Sequence, residues 1–124
     1  MERKMIVNEN HIKTATKIAE YSNVIKARMS CLALSKRGKI ICCANNRLLT
    51  GNRIDWSEHT ETAIIRKLNR LKAFDRYKDI TIFVFRISSS GISMARPCSR
   101  CQKLLNRYPV KVLYTNEKGK IVEL

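Results

Sequence analysis

The chain has 124 residues, 44% of them hydrophobic, so it can bury one compact core. Its 25 Lys and Arg outnumber 10 Asp and Glu, and the formal net charge of +15 favours polyanionic partners such as nucleic acid. No apolar run approaches the roughly 20 residues of a membrane span, and the charged beginning of the chain lacks a secretory signal, so we expect a cytoplasmic or nuclear protein.

Hydrophobic periodicity predicts one domain, residues 1–124, with elements in the order α-β-β-α-β-α-β-β. Ser57 is suited to cap the second helix, and Pro97 to occupy the first position of the third. Residues 46–57 read as a long loop between a hairpin and the second helix. The clearest strand is nearly all apolar, which indicates burial on both faces. The predicted helices are 9–21, 57–74 and 97–108, and the predicted strands are 29–35, 40–45, 79–88 and two joined by a turn within 110–124.

The alternation of these elements predicts an α/β protein with a three-layer α-β-α architecture and a five-stranded mixed sheet. The last two strands are separated only by the turn Asn-Glu-Lys-Gly, which is too short for a crossover connection. We therefore expect these two strands to be antiparallel neighbours.

A Cys-x-x-Cys pair, Cys98 and Cys101, lies at the predicted start of the third helix. Taken alone, such a pair fits a redox dithiol, half of a structural zinc site, half of a catalytic one, or two buried thiols. His59 near the start of the second helix could add a third ligand, which would leave one tetrahedral position for water. Glu61 follows two residues later and is suited to transfer protons beside the ion.

The remaining soft ligands are interpreted as structural. Five cysteines are an odd count, which disfavours a disulfide framework. Cys31, Cys42 and Cys43 lie in predicted strands and are expected to pack in the core. Cys42 and Cys43 are neighbours that face opposite sides of a strand, so they cannot easily share a metal ion. His11 on the first helix is interpreted as an ordinary histidine. A structural zinc site would therefore lack an evident fourth ligand.

His59-x-Glu61 followed by Pro97-Cys98-x-x-Cys101 is the H-x-E…P-C-x-x-C signature of zinc-dependent nucleobase deaminases. The chain resembles the cytidine deaminase-like superfamily over nearly its whole length. The resemblance implies that these His and Cys side chains bind Zn²⁺, that a zinc-bound water is the nucleophile, and that the Glu carries the proton.

The resemblance also implies substrate contacts. Asn46, or less well its neighbour Asn45, matches the family's sugar-binding Asn, and the backbone N–H that follows Pro97 would lie near the reacting oxygen. Thr60 stands where the family usually has Ala, so its side chain either narrows the pocket or points into the helix. Arg96 could meet a substrate phosphate or simply be solvated.

The loop that leads to His59 carries further candidates for nucleic acid contact. Trp56 could stack on a base or close the core over the loop. Arg47 and Arg53 are placed to touch phosphates, whereas the basic run 66–78 is typical of a solvated helix face.

The tight turn near the end of the sequence resembles the branch of the family that contains the cytidine deaminases rather than the adenosine deaminases of tRNA. Together with the charge, it predicts a zinc-dependent hydrolase that converts cytosine to uracil in single-stranded DNA or RNA. One alternative is deamination of free cytidine, deoxycytidine or their monophosphates, in which a homo-oligomer could complete the pocket. Another is a catalytically silent zinc domain that binds nucleic acid. A membrane partner is not expected, because no strongly amphipathic basic helix with exposed aromatics is apparent.

Overall fold

A computed structural model describes residues 6–25, 27–50 and 55–124. Within these ranges, no helix is long and apolar enough to cross a membrane. The helices are α1 (Glu9–Glu20), α2 (Thr60–Arg70), α3 (Ala73–Arg76) and α4 (Ser99–Leu105). The strands are β1 (Arg28–Leu34), β2 (Ile40–Asn45), β3 (Arg47–Thr50), β4 (Asp55–Glu58), β5 (Ile80–Ser88), β6 (Gly91–Ile92), β7 (Val110–Thr115) and β8 (Ile121–Glu123).

The main sheet has the strand order β2-β1-β5-β7-β8, and the short β6 pairs with the end of β5. Strands β5 and β7 are parallel, and the other pairs in this sheet are antiparallel. The turn between β7 and β8 is closed by Asn116, which accepts the N–H groups of Lys118 and Lys120, and by Gly119 at φ 73°. These observations confirm the mixed sheet and the antiparallel closing pair.

Helices cover both faces of the sheet. Helix α1 packs on one face, against Leu32, Leu34, Phe83 and Phe85. The core under α2 and α4 occupies the other face, with Ile64, Leu68 and Leu105 among its buried side chains. The first six residues of β5 are buried, as expected for a strand covered on both sides. The predicted three-layer α-β-α architecture is thereby confirmed.

The predicted starts of two helices were wrong. Ser57 does not cap α2, because it lies in β4 and pairs with Leu48, and the chain stays extended through His59, the N-cap. Pro97 does not occupy the first turn of α4, because the N-cap is the following residue, Cys98, which is itself extended. In both cases, strand or extended backbone persists further than local helix signals indicate.

Other boundaries also differ from the sequence prediction. The long loop 46–57 contains the antiparallel pair β3 and β4, and β6 lies within the predicted loop before Ala95. The second predicted helix, 57–74, ends early: Lys72 adopts a left-handed φ of 54°, and α3 follows.

His11 is a structural residue of the α1 start. Its side-chain Nδ1 accepts the N–H of Asn8 at 3.1 Å, while the Asn8 side chain accepts the N–H of His11, which completes a capping box. Its Nε2 lies 2.7 Å from the carbonyl oxygen of Gly38 and donates to it, because Nδ1 serves as the acceptor. His11 is thereby confirmed as an ordinary buried histidine.

We expect His11→Ala to lower the free energy of unfolding by about 1–3 kcal/mol, because the cap is lost and a carbonyl loses its donor. Urea denaturation followed by circular dichroism measures this change. Lys13→Ala, on the exposed side of the same helix, is the control and should change stability little. A loss of bound zinc in His11→Ala at a temperature where it remains folded would contradict a purely structural role.

Candidate metal centre and active site

His59, Cys98 and Cys101 form the one group of potential metal ligands found among the described residues, with ligand atoms all within 4.8 Å of one another. His59 Nδ1 lies 3.2 Å from the Sγ of Cys101 and 3.8 Å from the Sγ of Cys98. Tetrahedral zinc bonded to N and S at about 2.1 and 2.3 Å holds these atoms about 3.6 Å apart. The donor set and its spacing therefore fit zinc, and three ligands leave a fourth position open.

The ligands meet because two helices begin side by side. His59 is the N-cap of α2 and Cys98 is the N-cap of α4, and neither side chain makes a capping hydrogen bond. Cys101 follows in the first turn of α4, and the two helices pack against each other. Helix N-termini favour negative charge, which stabilises thiolates. The local fold thus presents free ligand side chains at two converging helix ends.

The buried position of Cys101 makes metal binding and proton release linked events. Burial, together with the nearby Glu61 carboxylate and Cys98, raises the pKa of the Cys101 thiol. A cation that binds there must displace the thiol proton, so affinity is expected to depend on pH.

Glu61 lies beside the ligands and is only 2% exposed. Burial raises the pKa of its carboxyl, while its own backbone N–H, the neighbouring His59 and a hydrogen bond with Cys101 oppose that rise. A carboxyl with a pKa raised toward neutrality can both take and return a proton. Glu61 is not among the clustered ligand atoms, and its role as a proton carrier stays a prediction.

Three residues of the motif, His59, Glu61 and Cys98, line a cavity of about 200 Å³. It brings together residues that the sequence singled out in three separate segments. Its lining residues are Val24, Ala27, Met29, Asn46, His59, Glu61, Arg96 and Cys98. A larger cavity of about 670 Å³ lies near the beginnings of β5 and β7, at the other end of the sheet, and none of the motif residues lines it.

Asn46 is buried in the cavity wall, and most of its amide is already engaged. Its Oδ1 accepts the Ser22 hydroxyl at 2.7 Å and the Met29 N–H at 2.9 Å, and its Nδ2 donates to the Ala27 carbonyl at 2.6 Å. The amide therefore retains one N–H for a ligand. The wall formed by Ser22 and Val24 was not identified from the sequence, because nothing in the composition of that loop marks it.

Two other predicted substrate contacts are used within the fold. The Asn45 amide donates to the carbonyl of Ile18 at 3.1 Å. The hydroxyl of Thr60, which is fully buried, donates to the carbonyl of Ala44 at 3.1 Å. Neither side chain lines the cavity, so their roles toward a substrate stay predictions.

The remaining predicted residues lie around the site to different extents. Arg96 is exposed at the cavity rim, and the neighbouring Pro97 is buried, its carbonyl accepting the Gln102 amide. Arg47 is exposed at the start of β3, directly after Asn46. Trp56 belongs to β4, whereas Arg53 lies outside the described residues.

Comparison with known protein families matches residues 5–116 to the family described as "Cytidine and deoxycytidylate deaminase zinc-binding region". A comparison with curated proteins gives no match. Among solved structures, the crystal structure of cytidine deaminase from Mycobacterium leprae is similar, with 17% identity and a TM-score of 0.59. The alignment covers 90% of this chain and 87% of that chain, and at this identity it shows the fold. Since the family match spans most of the chain and includes all three zinc ligands, the chain belongs to the zinc-binding family of cytidine and deoxycytidylate deaminases.

Proposed function

We propose that this protein is a zinc-dependent hydrolase that converts cytosine to uracil in single-stranded DNA or RNA. The observation that carries the proposal is that the zinc ligands His59 and Cys98 line one cavity with the buried Glu61, in a chain with a net charge of +15. The presence of this carboxyl beside the ligands favours active chemistry over a catalytically silent zinc domain.

The protein groups divide the chemistry between them. His59, Cys98 and Cys101 would hold zinc, and a bound zinc would supply an activated water as the nucleophile. The Glu61 carboxylate would accept one proton from the water that adds to C4 of cytosine and pass it to N3 of the base. It would then move the remaining proton of the new C4 hydroxyl to the amine, so that the C4–N4 bond breaks and ammonia departs. Asn46 lines the same cavity, and its second amide N–H, which has no acceptor among the described residues, would donate to a sugar hydroxyl oxygen.

The charge favours a polynucleotide over a free nucleoside. Exposed Arg96 lies on the cavity rim and exposed Arg47 lies one residue beyond Asn46, so cations are available on either side of a bound base. Neutralising phosphates with such groups supplies affinity that a neutral nucleoside cannot use. A single strand is preferred to a duplex because the base does not first have to be unpaired and flipped out.

The description of the matched family favours a second candidate, deamination of monomeric cytidine or deoxycytidylate. The structural neighbour from Mycobacterium leprae is itself called a cytidine deaminase. Under this alternative, the positive charge would meet no phosphate of cytidine and only one of deoxycytidylate.

A parallel assay on cytidine, dCMP, single-stranded DNA, double-stranded DNA and RNA distinguishes the two candidates. We expect kcat/KM to be highest on single strands and to fall steeply as salt is raised, because bound phosphates release counterions. Arg96→Ala should weaken oligonucleotide use and reduce the log–log salt slope by about one. Arg76→Ala, an exposed arginine on α3, is the matched control and should leave both quantities unchanged. Faster turnover of monomers than of oligonucleotides, with little salt dependence, would instead support the second candidate.

A further inference from the structure

Three exposed apolar side chains, Tyr21, Ile25 and Leu48, lie on two segments that a hydrogen bond joins, and we call them the mouth ridge. Tyr21 is 74% exposed and Ile25 is 78% exposed, while Leu48 is also classed among the exposed large apolar side chains. Single exposed apolar residues are common on protein surfaces, whereas several on joined segments beside a binding cavity offer an apolar surface to a ligand.

Hydrogen bonds hold the mouth ridge against the catalytic cavity. The Asn23 side chain, between Tyr21 and Ile25, accepts the N–H of Leu48 at 2.7 Å, which joins the loop after α1 to the start of β3. The Ser22 hydroxyl donates to both the carbonyl and the side chain of Asn46 at 2.7 Å.

The loop between these anchors also contributes to the cavity itself. Val24 lies between Asn23 and Ile25 in sequence and lines the same cavity as Asn46. The ridge residues do not line the cavity themselves, but they are close in the chain to Val24 and Asn46, which do. Their backbone is tied to a residue whose side chain faces the substrate position.

The positive charge near the ridge favours nucleic acid as the ligand that binds there. Exposed Arg47 is adjacent to Leu48, and exposed Arg96 lies on the rim of the cavity. Sites for single-stranded nucleic acid combine such cations with aromatic side chains on which bases stack. A second copy of the chain would instead bring another +15 charges to this surface, which opposes self-association.

We propose that the mouth ridge is the stacking platform for the base next to the target cytosine, with the Tyr21 ring against the face of that base. Ile25 and Leu48 extend the apolar surface beside it, and the two arginines take the neighbouring phosphates. This inference rests on the proposed function, and it adds a specific subsite to it.

The test compares Tyr21→Ala and Tyr21→Phe with the wild-type protein, all loaded with zinc. Anisotropy of a labelled thymidine-only oligonucleotide measures binding without turnover. We expect Tyr21→Ala to bind about 5- to 100-fold more weakly with an unchanged salt slope, because stacking rather than charge is lost. Tyr21→Phe keeps the ring and should bind like the wild type. Leu71→Ala, which removes a 46% exposed apolar side chain just beyond α2, is the matched control and should bind normally.

Three results would overturn the inference, and they separate it from the proposed function. Equal oligonucleotide binding and deamination by Tyr21→Ala and wild type would remove the platform but leave a polynucleotide deaminase. A protein that neither binds nor deaminates oligonucleotides, yet deaminates cytidine, would remove both. Self-association that is abolished by Tyr21→Ala in sedimentation velocity would assign the mouth ridge to a second copy of the chain.

Discussion

Glu61→Gln is expected to lower the kcat for cytosine deamination by about 10²- to 10⁴-fold, the usual contribution of a positioned acid–base group. Glutamine keeps the shape of the side chain but can neither accept nor return a proton. Zinc content should remain stoichiometric, because the ligands are His59, Cys98 and Cys101. Quench-flow or steady-state measurement of uracil formation, with metal analysis of the same preparation, checks both statements.

The design of this experiment separates proton transfer from damage to the fold. Because burial raises the pKa of Glu61, a neutral isostere removes an unfavourable buried charge and should not lower the thermal unfolding midpoint. Glu58→Gln changes the same charge three residues upstream, where the carboxylate pairs with Arg66 at 2.9 Å, and should retain near-normal kcat. If Glu61→Gln kept more than about a tenth of the wild-type kcat, the proton-carrier role would be wrong.

Removal of a zinc ligand should have the second large effect, on both metal content and stability. Cys101 is buried, and its Sγ lies 3.2 Å from His59 Nδ1, so Cys101→Ser should abolish stoichiometric zinc binding and deaminase activity. A ligand that binds only the folded state stabilises it by an amount that grows with the logarithm of the ligand concentration divided by Kd. A variant that no longer binds zinc loses this stabilisation, so its unfolding midpoint should fall as well. Inductively coupled plasma analysis and thermal denaturation measure the two effects.

Two controls complete this test: removal of zinc from the wild-type protein with a chelator, and substitution of a cysteine outside the ligand cluster. The wild-type protein treated with a chelator should lose stability to the same extent as Cys101→Ser, and added zinc should restore only the wild type. Cys43→Ser removes a half-buried thiol of β2 and should keep its zinc. Full zinc occupancy in Cys101→Ser, or zinc loss in Cys43→Ser, would contradict the ligand assignment.

Each half of the metal centre could be predicted from the sequence because its spacing is local, and the resemblance to the deaminase signature joined the two halves. Cys98 and Cys101 are three residues apart at one helix start, and His59 and Glu61 are two residues apart at another. Residue type sets the chemistry, and helical spacing sets which side chains share a turn. The strand β5 could also be predicted from the sequence, because a continuous apolar run is typical of a strand that is buried on both faces.

Helix starts and short strands were read less well, because long-range pairing competes with local preference. Ser57 is a good N-cap residue, yet its backbone pairs with Leu48 in β4, so the helix begins later. The β3–β4 pair itself joins two short segments of mixed polarity, which lack a clear alternating pattern. Neither the start of α2 nor the β3–β4 pair can be predicted until it is known which segments of the chain pair with each other.

By itself, the sequence determined the ligand chemistry of the zinc site and the main helices and strands, which depend on residue types at short spacing, and it predicts Glu61 as the proton carrier. Only the tertiary structure decided the wall of the cavity: the Ser22 hydroxyl reaches Asn46, and Asn23 reaches Leu48, across more than 20 residues of chain. It also decided that Tyr21 and Ile25 are exposed rather than in the core. The reason is that a side chain's burial and neighbours are set by how distant segments pack, and no local pattern in this loop records that packing.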